Sequence, residues 1–276
     1  MKYVLIALLT AVVCFAQQTP STGASDSTTP SSSIPVDQAN AAKARAVLDQ
    51  AIKALGGDAY LNWKDISVEG RSYSFHHGEA NSVGTIFWRF RKFPDKDRIE
   101  ITKKRDIIQI YNGDKGYEIT YKGIRNLEGK DDLQPYLRRR KYSLDIVLRT
   151  WLNQPGVALF YDGQTVAAQK QTDQVTVMNS KNEAVTIYID INSHLPVAKS
   201  YKWRDPVDNQ RNEEEEIFDN YRRTQNIMTA YDTTRLFNGE MSAQAFLTDA
   251  KYNQNLEDSL FDPEAATSKE NSKKKR

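Results

Sequence analysis

From Ile86 onward the chain repeats one pattern: a short run of alternating apolar and polar residues, closed within a few positions by a turn. Ile86, Trp88 and Phe90 alternate with Phe87, Arg89 and Arg91, and Ile99 and Ile101 alternate with Arg98, Glu100 and Thr102. Ile108 and Ile110 lead into the turn signal Asn112-Gly113-Asp114, and Tyr117 and Ile119 follow. Val175 and Val177 pair naturally with Val185, Ile187, Ile189 and Ile191 across the polar stretch 180–183. Val197, Tyr201 and Trp203 come after Pro196, which can begin a strand or lie at an edge. Asp162-Gly163 and Asn238-Gly239 read as two further hairpin turns. Period-two alternation gives each strand two distinct faces, and turns this short join antiparallel neighbours. The expectation is an antiparallel meander. No Pro/Gly/Ser-rich linker interrupts residues 36–264, so it forms one domain.

Two segments keep the helical period instead. Val47, Leu48, Ala51, Ile52 and Leu55 recur every three or four residues, and Gly56-Gly57 supplies a left-handed stop. Leu144, Val147, Leu148, Trp151 and Leu152 form a second stripe, preceded by Arg138, Arg139, Arg140 and Lys141 and ended near Pro155-Gly156. A stripe this wide needs a sheet face to cover. A sheet bent around such a helix encloses an apolar hollow.

The ends follow other rules. Met1 to Ala16 carries Lys2, an apolar run and small residues before a cut, which reads as a secretory signal peptide (1–16). Cleavage there removes Cys14, the chain's one cysteine, so the mature fold owes nothing to disulfides. Residues 17–35 form a Ser/Thr/Pro-rich leader too polar to offset its ordering entropy. A basic tail occupies 265–276. Its last eight residues hold five basic groups and one acid; against a whole-chain charge of +2, residues 36–268 sum to −2. Nucleic-acid binding needs a positive field that this region lacks.

No catalytic constellation is legible. His76 and His77 are strand neighbours expected on opposite faces, and His194 sits beside a turn, so no metal site follows. Glu213 to Glu216 reads as a solvated edge or the start of a strand. Gly-rich phosphate loops and nucleophile elbows are absent.

Several segments, in this order and spacing, resemble the LolA/LolB superfamily of periplasmic lipoprotein-sorting and lipid-binding proteins. They are A-L-G-G at 54–57, Y-N-G-D-K-G-Y at 111–117, I-Y-I-D-I-N-S-H-L-P at 187–196, E-I-F-D-N-Y-R at 216–222 and Y-N-Q-N-L-E-D-S-L-F-D-P at 252–263. The resemblance runs from about Ala44 to Pro263. It implies an α+β, mainly antiparallel fold: an unclosed β-barrel, or half-barrel, with a helical lid. It further implies a periplasmic, monomeric carrier or chaperone for lipid or lipoprotein acyl chains, with transfer partners at the inner and outer membranes, no cofactor and no covalent chemistry. A sensor or regulatory protein-binding module on the same fold is the alternative. Acyl chains are then expected against Ile86, Trp88, Phe90, Ile99, Ile101, Tyr117 and Ile119, under a lid carrying Leu144, Val147, Leu148 and Trp151. The family's inward, lid-holding arginine has three candidates here: Arg71, Arg89 and Arg98.

Overall fold

The structure is a computed structural model that describes residues 36–129 and 133–266. The expected signal peptide, the leader, Cys14 and the tail beyond Ala266 lie outside the described residues. Two helices come first, α1 (Val36–Leu55) and α2 (Asp58–Asn62). The strands β1 (Asp65–His76), β2 (Glu79–Ala80), β3 (Thr85–Lys92), β4 (Lys96–Ile101), β5 (Ile107–Asn112), β6 (Lys115–Thr120) and β7 (Gly123–Leu127) follow. After α3 (Gln134–Lys141) and α4 (Leu144–Arg149) the meander resumes with β8 (Ala158–Ala167), β9 (Lys170–Met178), β10 (Ala184–Asp190) and β11 (Pro196–Arg204). It ends with β12 (Arg211–Thr224), β13 (Ile227–Phe237) and β14 (Glu240–Tyr252).

These strands make one antiparallel sheet in the order β7-β6-β5-β4-β3-β1-β14-β13-β12-β11-β10-β9-β8, with β2 paired to β1 alone. Nearly every neighbour is a sequence neighbour. The exceptions are β3 against β1, which passes over the short β2, and β1 against β14, which joins the two halves of the meander. The outer strands β7 and β8 do not pair with each other, so the sheet stays open. This is the α+β half-barrel expected from the sequence.

Helix α1 buries Ala44, Leu48, Ala51 and Leu55 against Val175, Val177, Val185, Ile187 and Ile189, filling the β8–β10 end of the trough. It stops at Gly56 and Gly57, whose φ angles are +132° and +57°. A side chain at Gly56 would run into the carbonyl of Asn226 in the β12–β13 turn. Ser143 caps α4 by accepting from the Ile146 N–H, and Val147, Leu148, Trp151 and Leu152 complete the same core.

Three expectations need correction. Asp162-Gly163 is not a turn but a bulge inside β8, between Tyr161 and Gly163, and the turn falls at Ala168-Gln169. Asn40 of α1 pairs with both the backbone N–H and the carbonyl of Tyr161 at 2.8 Å, satisfying groups beside the bulge. Glu213 to Glu216 does lie at the start of a strand, β12, but that strand is interior rather than a solvated edge, and Lys199 and Lys202 of β11 stand opposite the run. His76 and His77 do not diverge: His77 enters the turn at φ +50°, and the two rings lie 4.2 Å apart.

Where β1 crosses β14 the register slips at Glu69/Gly70, and a Cβ at Gly70 would collide with the Phe246 carbonyl. Gly70→Ala is therefore expected to cost ~1–3 kcal/mol by overpacking, read as a lowered urea midpoint. An unchanged midpoint would show that the two halves join more loosely than this register implies.

Candidate functional site

Which face of the sheet is concave follows from what lies against it. Beyond α1 and α4, between the helices and the centre of the sheet, a cavity of about 520 Å³ stays unfilled. It is bordered by Ile66 and Val68 of β1, by Phe87, Arg89 and Arg91 of β3, and by Asp97 and Ile99 of β4. Phe218, Ala245 and Leu247 continue the wall on β12 and β14. The inward row of β3 is thus the one with the arginines.

The opposite row is covered differently. Asp65, only 2% exposed, accepts from the backbone N–H groups of Gln254 and Leu256 and turns the chain after β14 onto the convex face. There Leu256, Leu260, Phe261 and Ala266 pack on Phe90, Ile108, Ile110, Tyr117 and Ile119. Arg98 donates to the Leu260 carbonyl at 3.0 Å and pairs with Glu100 at 2.7 Å. β3 to β6 therefore carry apolar residues on both faces, each with its own cover.

The eleven residues expected to bind acyl chains separate accordingly. Ile99 and Leu144 border the cavity, and Ile101 shares their side of the sheet by its pairing with Phe87. Val147, Leu148 and Trp151 are at most 4% exposed and belong to the permanent core beside α1. Ile86, Trp88, Phe90, Tyr117 and Ile119 lie on the convex row; Phe90, Tyr117 and Ile119 pack under the C-terminal segment, and the Trp88 indole donates to Glu69 at 3.0 Å. Among the three candidate arginines, Arg89 alone borders the cavity.

What crosses the cavity mouth is α3, which the sequence did not separate from α4. Its Tyr136 hydroxyl donates to Asp97 at 2.9 Å, and its ring stacks on Tyr111 at 3.5 Å. Arg140 donates to the carbonyls of Asp95 and Gly113 at 3.1 and 2.7 Å. On the far wall Arg138 reaches Glu214 at 3.3 Å and lies 3.4 Å above the Trp203 ring, while Lys141 meets Glu183 at 2.6 Å. The helix is a polar strap between the two walls of the trough. A second, larger groove of about 1050 Å³ also borders α3 and shares Arg139, Arg140, Ile146, Glu214 and Arg235 with the cavity.

Beneath the strap, Arg89 grips Asp97 with Nε and Nη2 at 3.0 and 2.6 Å. Burial disfavours the Arg89 charge, but Asp97 outweighs it and holds the guanidinium more firmly protonated than usual. Burial and the same carboxylate push the Tyr136 hydroxyl well above its ordinary range, so it stays a donor. Arg91 meets Asp145 of α4 at 3.2 Å, and Lys199 meets Glu216 at 3.0 Å. Burial alone would raise Glu216, yet Lys199, Arg235 and Arg89 bring it below the usual carboxylate range. Among the described residues no group of three or more His, Cys, Asp or Glu side chains could hold a metal ion.

An open antiparallel sheet with helices against one face defines a fold class, and solved structures share that fold. A DUF1329 family protein from Desulfovibrio piger superposes with a TM-score of 0.58 at 13% identity, over 80% of this chain and 98% of its own. A domain named for outer membrane lipoprotein sorting, from Vibrio parahaemolyticus, gives 0.55 at 10% identity over 79% and 97%. A LolA superfamily protein from Nitrosomonas europaea gives 0.50 at 10% over 79% and 96%. No family model matches the chain, and no curated protein matches its sequence. The fold is LolA-like.

Two measurements probe the strap. Asp97→Ala removes the partner of both Arg89 and Tyr136. Because Arg89 keeps 37% of its side chain exposed, the expected loss is ~2–3 kcal/mol rather than the full cost of orphaning a buried charge. Urea unfolding reads it, and a loss below ~0.5 kcal/mol would remove the tie from the account of the fold. Glu216 is depressed in the folded state, so its contribution is complete above the unfolded pKa near ~4.3 and is lost as pH falls through the lower folded value. Glu216→Gln is expected to lose stability at neutral pH and to show a shallower acid decline than the wild type. Parallel acid limbs would contradict it.

Proposed function

We propose that this protein is an exported carrier that holds the acyl chains of a lipid or lipoprotein in its concave cavity, in the periplasm, as a step in outer-membrane lipoprotein sorting. It works as a monomer, receives its guest at the inner membrane and hands it to a partner at the outer one. Neither task asks for covalent chemistry. The observation that carries this reading is the unfilled interior: about 520 Å³ lies between sheet and helices, within the ~300–1,000 Å³ range of ligand pockets. Val68, Phe87, Ile99, Phe218 and Leu247 give that space an apolar wall. Each methylene moved there from water contributes ~0.8 kcal/mol, so a sixteen-carbon chain represents ~12 kcal/mol of gross transfer energy. Named relatives in fold point the same way, since two of the three are named for lipoprotein sorting or for the LolA superfamily. No helix among the described residues is long and apolar enough to cross a membrane.

The test should obstruct the cavity without touching the core. Ala245, on the cavity wall, tolerates a larger side chain if the space is real. Native mass spectrometry of protein taken from its own envelope is expected to show acyl-bearing guests on the wild type. Ala245→Trp should carry at most about a tenth as much while melting within a few degrees of it. Equal guest content in the two proteins, or none in the wild type, would end this reading.

A further inference from the structure

The concave side holds more positive charge than it neutralises. Asp97, Asp145, Glu214 and Glu216 are each taken by another cation, Arg89, Arg91, Arg138 and Lys199 respectively, at 2.6 to 3.3 Å. Two more carboxylates border the cavity. Asp95 lies in the β3–β4 turn by Arg140, and Glu215 alternates with Glu214 and Glu216 along β12. Arg139 of α3 and Arg235 of β13 border both the cavity and the outer groove. Among the described residues neither side chain makes a hydrogen bond or an ion pair. Burial lowers the Arg235 pKa, and Arg139 and Arg89 lower it further against the partial support of Glu216 and Glu214. Two half-buried guanidinia facing one space are a costly arrangement unless something negative joins them.

A second, independent observation lies beside them. The hydroxyl of Tyr201 borders the cavity, meets no partner at hydrogen-bond geometry and belongs to a residue only 3% exposed; the charges that act on it are the Glu214 carboxylate first and then Arg139 and Arg138. Tyr60, 4% exposed, presents another hydroxyl to the same cavity, without a partner at hydrogen-bond geometry but within reach of the Asp145 carboxylate. A buried hydroxyl without a partner costs ~1–3 kcal/mol, and a ligand oxygen would recover it.

We propose that Arg139, Arg235 and the Tyr201 hydroxyl form a site for an oxyanion, the carboxylate or phosphate head of an amphiphile whose chain lies along Val68, Phe87 and Leu247. This rests on the carrier reading and narrows it, since it makes the guest an acidic amphiphile rather than any apolar chain. The cationic and apolar parts share one cavity, which suits a head and tail on one molecule better than a free anion. The guanidinia present planar paired donors, the geometry that carboxylate and phosphate oxygens accept.

Fluorescence titration of the mature protein with cis-parinaric acid and with its methyl ester separates the possibilities, because the two probes share a chain and differ in charge. The wild type is expected to bind the acid at least about tenfold more tightly than the ester, the worth of one good charge-assisted contact. Arg139→Gln/Arg235→Gln should bind acid and ester alike, and Arg139→Lys/Arg235→Lys should recover part of the preference. Thermal melts confirm that both variants fold. If the wild type binds acid and ester equally, the anion site is refuted while the carrier reading survives. If inorganic phosphate binds by calorimetry in an arginine-dependent way and the acid gains nothing over the ester, the site takes free oxyanions and the amphiphile is refuted. Binding of neither probe refutes both readings.

Discussion

An open sheet must be held in its curve without being filled, and the contact that does both is the tie from Arg89 through Asp97 to Tyr136. Asp97 is 2% exposed, so its charge is tolerable only because Arg89 and Tyr136 donate to it together. Arg89 belongs to the sheet and Tyr136 to α3. The same carboxylate that steadies the β3–β4 hairpin therefore fixes a helix above the trough. An apolar contact at this point would have drawn α3 down into the space it spans. A directional, polar one sets a height.

That choice accounts for the division of labour between the two mid-chain helices. α4 is apolar where it meets α1, and its Val147 and Leu148 are as buried as any residue of the core. α3 buries mainly Tyr136 and holds the walls through Arg138, Arg140 and Lys141. Polar ties to partly exposed partners each contribute little, so they can be exchanged for water at small cost. Packed aliphatic contacts cannot.

The meander was largely legible because alternation and turn chemistry are local. Val175 and Val177 meet Ile187 and Val185, Asn238-Gly239 turns β13 into β14, and Gly56-Gly57 ends α1. What alternation cannot say is which of two faces is concave. In β3 the apolar row Ile86-Trp88-Phe90 suggested the inside, yet that row is on the convex face, where Phe90 lies under a segment more than 160 residues away in sequence, held by Asp65, Arg98 and Lys92. Nothing near β3 announces that partner. For Glu213 to Glu216 the strand start was legible but its interior place in the sheet was not, since Lys199, Arg138 and Lys202, which pair with it, arrive from elsewhere in the chain. The bulge at Asp162-Gly163 needed Asn40, some 120 residues earlier, to take up the Tyr161 backbone.

For the proposed carrier, an interior of this mixed character bears on release as well as on capture. A wholly apolar pocket would return most of the ~12 kcal/mol transfer energy of a long chain, and little would then dislodge it. Here part of the wall is guanidinium, carboxylate and phenol. A chain placed against these polar groups would desolvate them and gain correspondingly less. The charged pairs inside the trough hold the walls whether or not the chain is present, because their partners are protein groups rather than the guest. On the proposed carrier reading, binding would be moderated without the fold depending on it, a separation that lets a cargo leave an intact protein.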